Sequence, residues 1–280
     1  MEALLCFNII LLVFLFSNIS SATIYDQQNN PNVWSGQCQI GKLQSPIDLI
    51  EKQTELTKSG ELTFDLKDYD KSIGFIKLYN DGKTIYVTLL NQRILPTVKF
   101  NNTEYEMGQF HFHWHASEHA INGVLYDGEI HLVHQDPVNR DILVLGALLK
   151  KTFYSNNIIS QIFRKSLKTI TKFEESSYLY IKSNLKQLLD NINLKKYLTY
   201  EGSLTTPVCG EGVRWIVFRD LIKVDKRMIE ELSNRFEDRN GEILRYNNRE
   251  LQDINGRTIY KSYLRAFYLG TSRLRNRNNL

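Results

Sequence analysis

All six histidines of this 280-residue chain fall within Gln109–His134, in the stretch QFHFHWHASEHAINGVLYDGEIHLVH. In QFHFHWH the polar residues Gln109, His111, His113 and His115 alternate with Phe110, Phe112 and Trp114. A strand has a side-chain period of two, so the histidines share one face and the aromatics take the other. In GEIHLVH, Glu129 and His131 likewise share a face, with Ile130 and Leu132 opposite. His111 and His113 can chelate an ion from one side of their strand, and His131 on a neighbouring strand can close the set. Three neutral imidazoles with no thiolate nearby suit zinc, with a fourth position left open for water.

An alternating His-rich strand can also be a polar sheet face that binds nothing. The residues two places upstream argue against that. Gln109 precedes His111 and Glu129 precedes His131, so each can accept the ring N–H that ligation leaves over, fixing the tautomer and raising ligand basicity. A second metal chemistry is open as well. His111-Phe112-His113, four residues, then Glu118 imitates the first motif of cupin-like metal oxygenases, in which Glu118 would be a carboxylate ligand to iron. Against it, Leu125 stands where that motif wants glycine, and His131 follows too soon for the second motif.

The elements that must position these residues are mostly strands. Strand-like runs cover Ser72–Leu78, Thr84–Leu90, Thr97–Phe100, Gln109–His115, Glu129–His134, Asp141–Leu149 and Val213–Phe218, parted by turn signals such as Asn80-Asp81-Gly82 and Asn122-Gly123. Helical patterning is confined to a few segments, chiefly Asn157–Leu167 and Lys226–Phe236. The fold class expected is mainly β (α+β), a largely antiparallel sheet with short peripheral helices in a single domain. No repeat or Pro/Gly-rich linker divides the chain.

Residues 1–22 read as a signal peptide: Leu4–Phe16 is nearly unbroken apolar sequence, and Ser20 and Ala22 are the small residues a signal peptidase prefers. The apolar run is short of the roughly 20 residues that span a bilayer, so a secreted or lumenal protein without a membrane span is expected. The mature domain is then 23–280, with a basic tail from about residue 271. The net charge of +4 is small and partly carried by that tail, and nothing points to nucleic acid. Cys6 lies in the leader, leaving Cys38 and Cys209 as an even pair in an exported chain, which argues for one disulfide. Asn101-Asn102-Thr103 is a glycosylation acceptor at Asn101.

Ser117-Glu118-His119-Ala120-Ile121, then Tyr126, then Glu129-Ile130-His131-Leu132-Val133 resembles the signature of the alpha-class carbonic anhydrases. Tyr25 and Pro31-Asn32-Val33-Trp34 resemble the family's opening, Gln44-Ser45-Pro46-Ile47-Asp48 its next motif, Gly202-Ser203-Leu204-Thr205-Thr206-Pro207 its substrate loop, and Asn247-Asn248-Arg249-Glu250-Leu251-Gln252 with Asn255-Gly256-Arg257 its closing motif. These stand in family order from about residue 25 to 260. The resemblance implies a large twisted sheet with Zn2+ at the base of a central cleft, held by His111, His113 and His131. It implies reversible hydration of carbon dioxide to bicarbonate and a proton, by attack of zinc-bound hydroxide. Thr205 takes the position that orients the nucleophile, and Glu118 the position that accepts the Thr205 hydroxyl hydrogen. Val133, Val144, Leu204 and Trp215 match the apolar substrate pocket, Thr206 a bicarbonate contact, Tyr25 a supporting residue, and His119 and His134 structural histidines. Many secreted members also pair cysteines matching Cys38 and Cys209. A non-catalytic binding module on the same fold is the alternative to an enzyme, and the sequence leaves the oligomeric state open.

Two departures stand out. In Asn80-Asp81-Gly82-Lys83, Lys83 occupies the place of the family's proton-shuttle histidine; a lysine near its reference value of about 10.4 is a poor proton acceptor at neutral pH. The segment Trp114–Glu118 is shorter than in animal forms and resembles the plant and bacterial branch. Strand alternation then puts His115 on the ligand face, either as a substitute shuttle or as a hydrogen-bonded structural histidine.

Overall fold

Alternation of apolar and polar residues produces a sheet that runs through almost the whole chain. The computed structural model describes residues 34–56, 64–90 and 92–262. In chain order the strands are β1 (Asp48–Leu49), β2 (Glu55–Leu56), β3 (Phe64–Lys67), β4 (Ser72–Asn80), β5 (Ile85–Leu90), β6 (Thr97–Phe100), β7 (Thr103–Trp114), β8 (Ala120–Ile121), β9 (Gly128–Gln135), β10 (Ile142–Thr152), β11 (Ser176–Asn184), β12 (Tyr197–Ser203), β13 (Glu211–Asp225) and β14 (Tyr260–Lys261). The helices are α1 (Gln37–Ile40), α2 (Ile158–Ser166) and α3 (Lys226–Arg235). The leader, Tyr25 and the tail from 271 lie outside the described residues. No helix among those described is long and apolar enough to cross a membrane.

The main sheet has the order β11-β4-β5-β7-β9-β10-β13-β12-β14-β2, with β6 joined to β7 and β3 to β6. Its pairs are antiparallel except β10–β13 and β14–β2. The mainly β, largely antiparallel expectation holds. The parallel β10–β13 pair requires a long crossover, and the chain supplies one, through α2, β11 and β12.

β7 starts six residues before the alternation expected from the sequence. Tyr105 and Met107 are buried, then Phe110, Phe112 and Trp114. The parity changes because the pairing with β9 shifts between Met107 and Gln109, where Gly108 is the extra residue of a bulge. Beyond the bulge His111 pairs directly with His131, and His113 with Glu129.

Behind the histidine face, Phe110, Phe112, Trp114, Ile130 and Leu132 join a large core that includes Ile159, Ile162 and Phe163 of α2 and Ile229 and Leu232 of α3. Both helices begin at residues that cap them: Asn157 accepts from the Ser160 N–H, and Asp225 from the Arg227 N–H. A smaller apolar cluster, containing Val144, Leu198, Val213 and Trp215, packs with Val133 and Leu204.

Candidate metal centre

The register of β7 against β9 brings the three expected ligands together. His111 Nε2 and His131 Nδ1 face each other at 3.3 Å, and the rings of His113 and His131 are 4.6 Å apart. One nitrogen from each of His111, His113 and His131 lies within 4.8 Å of the others.

The outward nitrogens explain why the inward ones are poised. His111 Nδ1 donates to Gln109 Oε1 at 3.0 Å, His131 Nε2 to Glu129 Oε1 at 3.0 Å, and His113 Nδ1 to the Asn247 carbonyl at 2.8 Å. A carbonyl or carboxylate oxygen accepts only, so each outward nitrogen carries the proton and each inward nitrogen presents a lone pair. Burial first, then the neighbouring imidazoles, holds His111 well below the ordinary histidine value; burial also lowers His113. The buried His113 Nε2 has no hydrogen-bond partner among the described residues.

Three lone pairs converging on one point repel one another unless a cation lies between them. Tetrahedral zinc with Zn–N bonds of about 2.0–2.1 Å needs nitrogens about 3.3–3.4 Å apart. The His111–His131 separation meets that requirement, so the residues fit zinc.

Glu129 does more than the sequence assigned it. Its Oε1 also accepts from His119 Nδ1 at 2.8 Å, and its Oε2 from the His119 N–H at 2.8 Å. Burial alone would raise this carboxyl, but His119 and His131 together hold it well below the usual range. Gly146 makes room for it, since a Cβ there would come within 2.8 Å of Glu129 Oε1. The chain of donors then runs outward by elimination. His119 Nε2 accepts from the Tyr200 hydroxyl (2.7 Å), Tyr200 accepts from Ser45 (2.8 Å), and Ser45 Oγ accepts the Ser203 N–H (3.1 Å). His119 is therefore a satisfied structural histidine, as expected. His134 is only half so: Tyr69 lies 2.5 Å from its Nε2, while its buried Nδ1 has no partner among the described residues.

The apolar residues expected beside the metal, and the loop after β12, lie next to the same centre. Val133, Val144, Leu204 and Trp215 fall in one apolar cluster, and the Trp215 ring lies 4.8 Å from that of His131. The loop is held by the Cys38–Cys209 disulfide and by Gln44 Nε2 donating to the Cys209 carbonyl at 3.1 Å. Thr205 is buried and Thr206 half-buried.

His115 departs from its expected place, and Glu118 lies beside the ligands without its expected partner. Glu118 Oε1 accepts from the Arg249 N–H at 2.9 Å, while Oε2 is buried without a hydrogen-bond partner, 3.4 Å from His113 Nε2 and 3.9 Å from His131 Nδ1. The Thr205 hydroxyl thus makes no hydrogen bond to it in this structure. His115 is not on the ligand face. β7 ends at Trp114, and His115 adopts φ +71°, is exposed, and rests beside the Tyr246 ring at 6.2 Å. A left-handed residue breaks the alternation that would have turned it inward.

Lys83 sits half-buried after the Asn80-Asp81-Gly82 turn, which Asn80 and Asp81 close by accepting the Gly82, Lys83 and Thr84 N–H groups. Burial lowers its pKa from the ordinary lysine value; Asp81 opposes that shift and Arg239 adds to it. In the sequence Asn247 is part of the closing motif and carries no expected role at the ligands. Besides its carbonyl on His113, its side chain accepts from the Trp114 N–H and donates to the Phe112 and Lys83 carbonyls. A backbone acceptor leaves no side-chain signature, so no sequence signal marks it.

The sequence model of the eukaryotic-type carbonic anhydrases matches residues 29–263. A carbonic anhydrase of Nostoc sp. is 31% identical over 80% of this chain and 78% of its own length. Carbonic anhydrase 6 of Bos taurus is 30% identical over 80% of this chain and 74% of its own. The structure of a carbonic anhydrase from Chlamydomonas reinhardtii in complex with acetazolamide aligns with a TM-score of 0.69 at 29% identity, covering 84% of this chain and 96% of that one. With the family order of motifs, the fold and the histidine centre all in agreement, the cupin-like alternative falls away, and the chain belongs to the eukaryotic-type carbonic anhydrase family.

Proposed function

We propose that the chain is a zinc enzyme that reversibly hydrates carbon dioxide, with His111, His113 and His131 as the metal ligands. The carrying observation is that all three outward ring nitrogens face acceptor oxygens, so three lone pairs meet at one point. When bound, zinc supplies a Lewis acid that makes water a nucleophile near neutral pH. The protein's own part is positional. Gln109, Glu129 and the Asn247 carbonyl fix the ring tautomers and orientations. Val133, Val144, Leu204 and Trp215 give a small apolar molecule a dry place beside the ligands, and Thr206 takes the bicarbonate contact that the family resemblance implies. Beside the ligands, Glu118 Oε2 is a buried carboxylate oxygen without a hydrogen-bond donor among the described residues, so it is the atom available to accept the Thr205 hydroxyl and fix which way that group points.

Proton export is the weak link. Lys83 lies at the shuttle position; burial lowers its pKa from the ordinary lysine value and Asp81 opposes that shift, but an amine is not an imidazole that cycles readily near neutral pH. Turnover then depends on water and buffer to carry the proton away. The Cys38–Cys209 bridge supports an exported, secreted or lumenal protein whose mature domain follows residue 22. Asn101, exposed in the turn between β6 and β7 with φ +47°, is accessible for N-glycosylation.

Metal analysis and a hydration assay on the purified chain from residue 23 test this reading. One zinc per chain and chelator-sensitive hydration are expected; zinc without hydration would make the chain a binding module instead. Glu118→Gln should keep its zinc and lose rate, because Glu118 acts through Thr205. Loss of the metal would make Glu118 a ligand.

A further inference from the structure

A second polar cavity lies behind the sheet. The alternation that turns His111 and His113 to the cleft turns Phe112 the other way, where its ring meets Phe163 of α2 at 4.6 Å. The end of β10, the first turn of α2 and the Leu185–Leu189 turn line a half-open cavity of about 610 Å³ on that side, within the roughly 300–1,000 Å³ typical of small-molecule sites. None of its lining residues has a part in the metal chemistry.

Its chemistry is neutral. Nine of the fourteen lining residues carry an amide or hydroxyl, and the two charged ones, Asp190 and Lys223, are of opposite sign. The helix end attracts no anion, because the Asn157 side chain already accepts from the Ser160 N–H at 2.9 Å and donates to the Lys223 carbonyl at 2.7 Å. One wall is rigid: Arg164 donates to the Ser155 carbonyl (2.9 Å) and to Asn156 Oδ1 (2.7 Å), and its guanidinium backs the Tyr154 ring at 5.7 Å. The facing wall is unspent. The side chains of Ser183, Gln187, Asp190 and Asn191 make no hydrogen bond among the described residues.

A ligand matching this arrangement is uncharged, carries many groups that both donate and accept, and has an apolar face for a backed aromatic ring. Neighbouring sugar hydroxyls suit primary amides, which present a donor and an acceptor side by side, and the C–H face of a sugar suits tyrosine. We propose that this cavity binds a neutral saccharide, independently of the catalytic cleft.

The test is an NMR titration of the full mature chain with maltotriose, cellotriose and triacetylchitotriose, with trigalacturonate as the charged control. At least one neutral sugar should give saturable shifts confined to residues 152–161 and 183–191. Gln187→Ala should weaken that binding roughly fivefold, as expected for one lost hydrogen bond, and Tyr154→Ala should weaken it further. Hydration activity should be unchanged in both variants, which also shows that they fold. The proposal is overturned if no neutral sugar shifts these residues up to about 10 mM, beyond the weakest specific affinities. Tighter binding of trigalacturonate, or full affinity in the double variant, would overturn it as well.

Discussion

His131 and His134 stand three residues apart on β9, equally buried, and the strand sends them to opposite faces. His131 turns to the cleft, with the Glu129 carboxylate behind it and the His111 lone pair in front. His134 turns into the core beside Tyr69, and burial pushes its pKa down to about 3. Burial is therefore not what makes a histidine a ligand. What matters is an acceptor on the outer nitrogen, which fixes the proton there, and a shared open point for the inner one. His134 has neither a carboxylate partner nor a converging neighbour, and it remains a neutral core residue.

The largest effect should come from exchanging the two regions' fates. His131→Ala is expected to lose zinc and to drop hydration to the uncatalysed background, whereas His134→Gln should keep both within about twofold, since it removes no ligand or ligand partner. Metal content and initial rates of the two variants check this; equal losses in both would erase the distinction. Glu129→Gln tests the acceptor directly. It keeps an oxygen for His131 but removes the charge, and zinc affinity measured against a competing chelator should fall roughly 10–100-fold.

Acid should separate the regions next. The folded pKa of His134, about 3, lies below the unfolded value of about 6.5. Between those values the unfolded chain takes up a proton that the folded chain refuses. Stability from this group is thus complete above about pH 6.5 and falls as pH drops toward 3, by ~1.4 kcal/mol per unit. Urea denaturation of the metal-free chain at several pH values should show a shallower acid loss in His134→Gln than in the parent. An unchanged slope would mean that His134 titrates normally.

The smallest effect lies outside both histidine regions. Lys83→His should raise kcat a fewfold at low buffer and leave kcat/KM alone, with imidazole buffer closing the gap. His115→Ala should leave kcat unchanged, because its left-handed backbone takes it off the ligand face; a fall in kcat alone would restore it as a relay.

The histidine set is legible because β7 and β9 alternate cleanly beyond the bulge, and helical patterning marks both longer helices. The first half of β7 was not legible, since Gly108 shifts the parity and hides the strand's continuity. β12 was missed because it is buried on both faces apart from Glu201, so no alternation appears. β11 was missed for the opposite reason. It is an edge strand with a single fully buried residue, Ile181, and its Tyr178-Leu179-Tyr180-Ile181 run shows no clean alternation of apolar and polar residues. The turn at His115 had no glycine to announce it. The Thr205–Glu118 contact, implied by resemblance, depends on a side-chain placement that spacing does not dictate.

Asn247 reaches His113 across 134 positions of sequence and ties the ends of β7 and of the Lys83 turn with the same residue. Two ligand imidazoles are oriented by neighbours on their own strands, but the third waits for the closing segment to dock. On the proposed zinc reading, a full grip on the ion would require that distant segment to be docked, so metal affinity would report whether the closing end of the chain is in place.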